Sequence, residues 1–184
     1  MAPIDSIGLL EVSSVATGYR AADAMLKAAS VGLILSRTIC SGKFLIAVSG
    51  DASSVKAATA AGGTAAGASV IEQGVITQLH SSVFPAMGQS VQLEKGDVGA
   101  LGIIETFSAA GIIMAADAAA KEADIILFRL HLAMALGGKG FLLMTGTQGS
   151  VESALRAGKE AAKGMLVNAV LIPSPDRILL KDYL

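Results

Sequence analysis

Short runs dense in Val, Ile and Leu alternate along this chain with stretches whose apolar residues recur every third or fourth position. The runs over 7–12, 31–36 and 44–49 have the length and composition of buried strands. Between the first two, Ala22, Met25, Leu26 and Ala29 share one face at helical spacing, which predicts an amphipathic helix. A second helix is predicted after a turn, with Ser53 as N-cap and a packed face through Val55, Ala58 and Gly62. That face is built of small residues, which lets backbones approach closely. The order is strand, helix, strand, strand, helix, strand.

The pattern then returns. Ile7-Gly8-Leu9-Leu10-Glu11 reappears about 94 residues later as Leu101-Gly102-Ile103-Ile104-Glu105. In the same register Ala21-Ala22-Asp23-Ala24 and Lys27 become Ala115-Ala116-Asp117-Ala118 and Lys121. After a small insertion in the second copy, Gly42-Lys43 matches Gly138-Lys139, Gly50 matches Gly146 and Val55 matches Val151. The second copy's strands are expected at 101–106, 125–130 and 141–145. Its helices are expected through Ala116, Ala119, Ala120 and Ala123, and through Val151, Ala154, Leu155 and Gly158, the latter capped by Ser150. Two domains follow, 1–84 and 98–184, joined by a linker at 85–97. A β-α-β-β-α-β order with crossovers is the split-βαβ, ferredoxin-like arrangement, so the class is α+β: two tandem domains, each an antiparallel sheet with helices on one face.

Composition narrows the function classes. The chain has 184 residues and is 53% hydrophobic and 16% charged, with a net charge of -1 and one Cys. Its mean hydropathy is +0.64, yet no unbroken run reaches the roughly 20 apolar residues a membrane helix requires. The best candidate, 98–120, is interrupted by Glu105 and Asp117. Near-neutral, scattered charge gives no footprint for nucleic acid or an anionic membrane surface. One Cys closes no intrachain bridge, and Met1-Ala2-Pro3-Ile4-Asp5 has no leader character, so a cytoplasmic protein is expected. A chain this apolar and poor in charge is expected to hide surface against other subunits.

Conventional catalytic motifs are missing, and no enzyme is expected. The Gly-Lys pairs lack the spacing and following Ser or Thr of a phosphate loop. His80 and His131 have no carboxylate or Cys at ligand spacing and read as structural. Glu11 and Glu105 occupy equivalent strand ends, which points to a shared structural role. Asp23 with Lys27, and Asp117 with Lys121, are spaced for helical ion pairs worth roughly 0.3–0.5 kcal/mol. A Lys repeated once per half at one helical position also suits a lateral contact in an assembly.

Gly8-Leu9-Leu10-Glu11, then Ala22-Asp23-Ala24-Met25-Leu26-Lys27-Ala28-Ala29, then Gly42-Lys43 and Gly50-Asp51, resemble the bacterial microcompartment shell domain, present here twice and covering nearly the whole chain. The resemblance implies a homotrimer that mimics a hexamer, with other shell subunits as partners and the compartment shell as its location. It implies that Lys27 and Lys121 lie along the tile edge. It also implies that Cys40, Ser41 and Gly42, with Leu136, Gly137 and Gly138, line the central pore. The run Thr38-Ile39-Cys40-Ser41-Gly42-Lys43 further resembles a branch from propanediol-utilising compartments, although Ser41 stands where that branch has Pro. In it a Cys from each of three subunits holds one [4Fe-4S] cluster on the three-fold axis. A cubane has a three-fold axis through one iron and the opposite sulfide, so three symmetric copies of Cys40 suit it and leave the axial iron open. The N–H groups of Ser41 and Gly42, and an inward-pointing Lys43, would then tune its potential. Electron transfer across the shell, with a lumenal or cytosolic redox enzyme as partner, is what such a cluster implies. Without the resemblance, a lone Cys reads as a small buried hydrophobe. The alternatives are a shell trimer with a simple metabolite pore and a ferredoxin-like small-molecule regulatory protein.

Overall fold

The computed structural model describes residues 6–94 and 96–183. Met1–Asp5, which carry the expected start of the first domain, lie outside the described residues, as does Leu184 at the expected end of the second. The chain forms two compact units: the first holds Met1–Leu79, Ser108–Ala110 and Ala133–Gly138, and the second holds His80–Phe107, Gly111–Leu132 and Lys139–Leu184.

In the first unit, β1 (Ser6–Val12), β2 (Gly32–Ile39), β3 (Lys43–Gly50) and β4 (Val70–Thr77) form an antiparallel sheet in the order β2-β3-β1-β4. Helices α1 (Val15–Ala28) and α2 (Ala52–Ala66) enclose a core of Leu10, Val12, Ala21, Ala22, Met25, Phe44, Ile46, Val48 and Ala58. Alternation puts Leu10 and Val12 on one sheet face, and that face receives both helices. Close approach is enforced by glycine, since a Cβ at Gly62 would strike Met25 and one at Gly18 would strike the Phe44 ring.

Two local expectations are corrected. The buried stripe of α1 is Gly18, Ala21, Ala22 and Met25, whereas Leu26 is 42% exposed. Phe44 fills the space above Gly18, which turns the stripe so that the next position after Met25 faces outward. The N-cap of α2 is Asp51, whose carboxylate accepts from Ser53 N and Ser54 N at 3.0 and 2.9 Å; Ser53 lies inside the first turn. Thr147 likewise replaces Ser150 as the cap of the matching helix, accepting from Ser150 N at 3.2 Å.

The second unit repeats the topology, with β5 (Ala100–Thr106), β6 (Ile126–His131), β7 (Gly140–Gly146) and β8 (Leu166–Ile172) in the order β6-β7-β5-β8. Even the register shifts recur, at Glu11/Val12 and Glu105/Thr106 and again at Leu33/Leu35 and Leu127/Arg129. Helices α4 (Ala109–Glu122) and α5 (Gln148–Ala161) follow the order of α1 and α2, and Gly102 meets Val151 of α5. The segment read as a linker begins within a short helix, α3 (Val83–Met87). Its continuation places Leu93 in a cluster with Leu101, Phe128 and Leu180, supported by Ile103, Leu143 and Tyr183. The C-terminal tail therefore packs on its own unit: Leu93 N donates to Tyr183 O at 2.7 Å, and the Tyr183 ring meets Phe128 edge-on at 5.1 Å. No helix among the described residues is long and apolar enough to cross a membrane.

Candidate functional site

Strand β2 ends in buried Ile39 and passes into β3 through one 3-10 turn, Cys40–Gly42. Ser41 (φ 66°) and Gly42 (φ 70°) are both left-handed, which reverses the chain in three residues and leaves Cys40 half-buried as a free thiol. Residues 133–138 lie in the same unit and are held by left-handed Ala133, Ala135, Gly137 and Gly138. Such backbone costs roughly 1–2 kcal/mol at each non-glycine position and persists only where surrounding bonds fix it. Three bonds do so here. Cys40 N donates to Ala133 O at 3.2 Å, Ala135 N donates to Cys40 Sγ at 2.8 Å, and Lys43 Nζ donates to Gly138 O at 3.2 Å.

Beneath the turn lies a buried charge network. Glu11, fully buried, pairs with Lys43 Nζ at 3.0 Å and accepts from Ser108 Oγ at 2.8 Å and Ala110 N at 3.0 Å. The equivalent pair, Lys139 with Glu105 at 2.6 Å, is far more open, with side-chain exposures of 38% and 32% against 16% and 0%. Opposite Glu11 across β1 and β4 stands Glu72, whose carboxyl is raised above its ordinary 4.5, first by burial and further by the Glu11 charge; an N–H bond from Gln73 opposes the shift. Asp51 is held well below the usual carboxylate range, chiefly by the Ser53 and Ser54 hydroxyls.

Cys40, Ser41, Gly42, Leu136, Gly137 and Gly138 are thus brought together within one unit. Lys27 and Lys121 are not part of that group. Lys27 is exposed and pairs with Asp23 at 2.7 Å, and Lys121 pairs with Asp117 at 2.5 Å. The N–H directed at the sulfur is that of Ala135, and Lys43 is engaged by Glu11 and Gly138. The backbone donor has no sequence signature, whereas the repeated Glu and Gly-Lys positions could have disclosed the ion pairs. His80 uses its backbone N–H on Asp117 and its ring on Ser82 Oγ, and His131 stacks on Phe141. Among the described residues no three His, Cys, Asp or Glu side chains gather to hold a metal.

Duplicated split-βαβ units with paired glycine-bearing turns define a tandem-domain protein, and residues 6–79 and 100–175 each match the BMC domain. The chain belongs to this family of bacterial microcompartment shell proteins, with two copies in tandem, and its role is that of a structural shell component. It is 41% identical to the microcompartment shell protein PduT of Citrobacter freundii, over 92% of each chain. Among solved structures, a microcompartment protein from Desulfitobacterium hafniense DCB is 43% identical, has a TM-score of 0.79 and covers 97% of this chain and 99% of its own. A fused permuted hexameric shell protein of the RMM microcompartment shares the fold at 18% identity and a TM-score of 0.65, covering 89% of this chain and 87% of its own.

Proposed function

We propose that three copies of this chain form a pseudohexameric tile whose Cys40 thiolates hold one [4Fe-4S] cluster at the central pore, and that the tile carries electrons across the shell. The observation that supports this reading is the state of Cys40: a free, half-buried thiol at a strand-to-strand turn, with the Ala135 N–H aimed at its sulfur. Hydrogen bonds to cluster sulfurs are among the features that set potential, so the donor set suits the group. With one Cys per chain and no metal-binding group among the described residues, the ligands must come from symmetric copies. When bound, the cluster supplies one-electron transfer, and an iron without a thiolate is open to water or a partner's ligand. A redox enzyme beside the shell is the partner this implies. Lys27 and Lys121, each braced by an Asp one turn earlier, serve the tile edge.

Anaerobic reconstitution with iron and sulfide tests the reading. About four irons and four sulfides per trimer, with a broad visible charge-transfer band absent from Cys40→Ser, are expected. Background iron in both proteins would leave a shell tile with a simple pore.

A further inference from the structure

Glu11 and Glu105 hold the same place in the repeat, as do Ser14 and Ser108, yet only one of the two equivalent joints is made. In the first unit the Glu11 carboxylate receives the Ser108 hydroxyl and the Ala110 N–H, and all three residues are buried. The matching pieces are open. Glu105 keeps 32% of its side chain exposed. At the start of α1, Ser13 and Ala16 are exposed and Ser14 and Val15 half-buried. Tyr19, one turn on, is 64% exposed, whereas its repeat equivalent Ile113 is 3% exposed.

We propose that these open pieces meet between copies of the chain. Glu105 of one copy accepts the Ser14 hydroxyl and the Ala16 N–H of a second, repeating the joint made by Glu11, Ser108 and Ala110, and Tyr19 is covered there. Ser14 Oγ already accepts from Thr17 N at 3.3 Å, which leaves its hydroxyl proton for the incoming carboxylate. The carboxylate also meets the positive end of a 14-residue helix. Each copy gives one face and receives the other, so the contact is heterologous and propagates into a ring. The contact rests on the trimer proposed above and specifies how its copies join.

Sedimentation velocity over a dilution series tests the contact on the full chain. Glu105→Gln raises the trimer dissociation constant on the order of tenfold or more, because a charge-assisted contact is lost at each joint. Its circular dichroism stays that of the native chain, and its thermal unfolding in dilute solution shifts only slightly, by the loss of the open Lys139 pair. A second measurement mixes two Cys40→Ala proteins, one with Glu105→Cys and one with Ala16→Cys, under diamide. A disulfide-linked dimer is expected, and Lys163→Cys in place of Ala16→Cys gives none. A native trimer that Glu105→Gln does not weaken, with no cross-link, overturns the contact and leaves the trimer standing. A native chain that is monomeric at every concentration overturns the trimer and the contact together.

Discussion

The two halves of the chain solve one packing problem in opposite ways. In the first, Gly18 of α1 makes room for the Phe44 ring of β3; in the second, Gly140 of β7 makes room for Ile112 of α4. The bulk has changed sides while the strand order and both register shifts are the same. Polar positions diverge as well. Glu11 faces Glu72 across β1 and β4, where Glu105 faces Asn168 across β5 and β8. Total volume and polar satisfaction, rather than the residue at any single site, are what this fold requires.

The exchange of bulk offers the largest test. Gly18→Ile drives a branched side chain into Phe44 and should cost about 3 kcal/mol or more. Phe44→Gly opens a cavity and should cost about 3–5 kcal/mol. Together they copy the second half, so denaturant unfolding should find the double variant better than the sum of the singles by at least about 1 kcal/mol. Simple additivity would show that the halves are not interchangeable here.

The ion pairs should differ next. Glu11→Gln leaves Lys43 without its buried carboxylate and should cost about 3 kcal/mol, whereas Glu105→Gln, at an open pair, should cost dilute protein less than about 1 kcal/mol. Equal losses in chemical denaturation would contradict the burial difference.

Helix caps separate the halves by pH. Thr147→Ala should cost about 1 kcal/mol at every pH, since a hydroxyl cap does not titrate there. Asp51 has a folded-state pKa held low, so its contribution is complete above its ordinary 3.8 and is lost as pH falls through the folded value. Asp51→Ala should therefore destabilise at neutral pH and progressively less on acidification, read as thermal midpoints against pH.

The smallest effect is expected at Glu72. Its folded-state pKa is raised, so the ionised carboxylate costs the fold stability; that cost is absent below 4.5, and stability is lost as pH rises through the folded value. Glu72→Asn, the residue of the second half, should raise the thermal midpoint near neutrality and do nothing below pH 4.5. A midpoint lowered at neutral pH would reverse the assigned sign.

The strand runs, the duplication and the ferredoxin-like order were legible because period and repeat are carried by many residues at once. The turns at Cys40 and Gly138 were legible as a repeated Gly-Lys. Other features depend on one neighbour or one backbone atom. Leu26 faces outward because of Phe44, and Asp51 wins the cap over Ser53 because a carboxylate accepts two N–H bonds from one position. Ala135 acts on Cys40 through its backbone N–H, which no side-chain pattern announces. The tail is held by Leu180 and Tyr183 against Phe128 and Leu93, contacts that no spacing in the sequence marks.

The sharing of one cluster by three copies of Cys40 is tested most directly by the Mössbauer spectrum of the protein reconstituted with iron-57. Three thiolates for four irons predict one iron subsite distinct from the other three, in a one-to-three ratio, which shifts when a small ligand is added. Four equivalent irons, or a spectrum unchanged in Cys40→Ser, would contradict it.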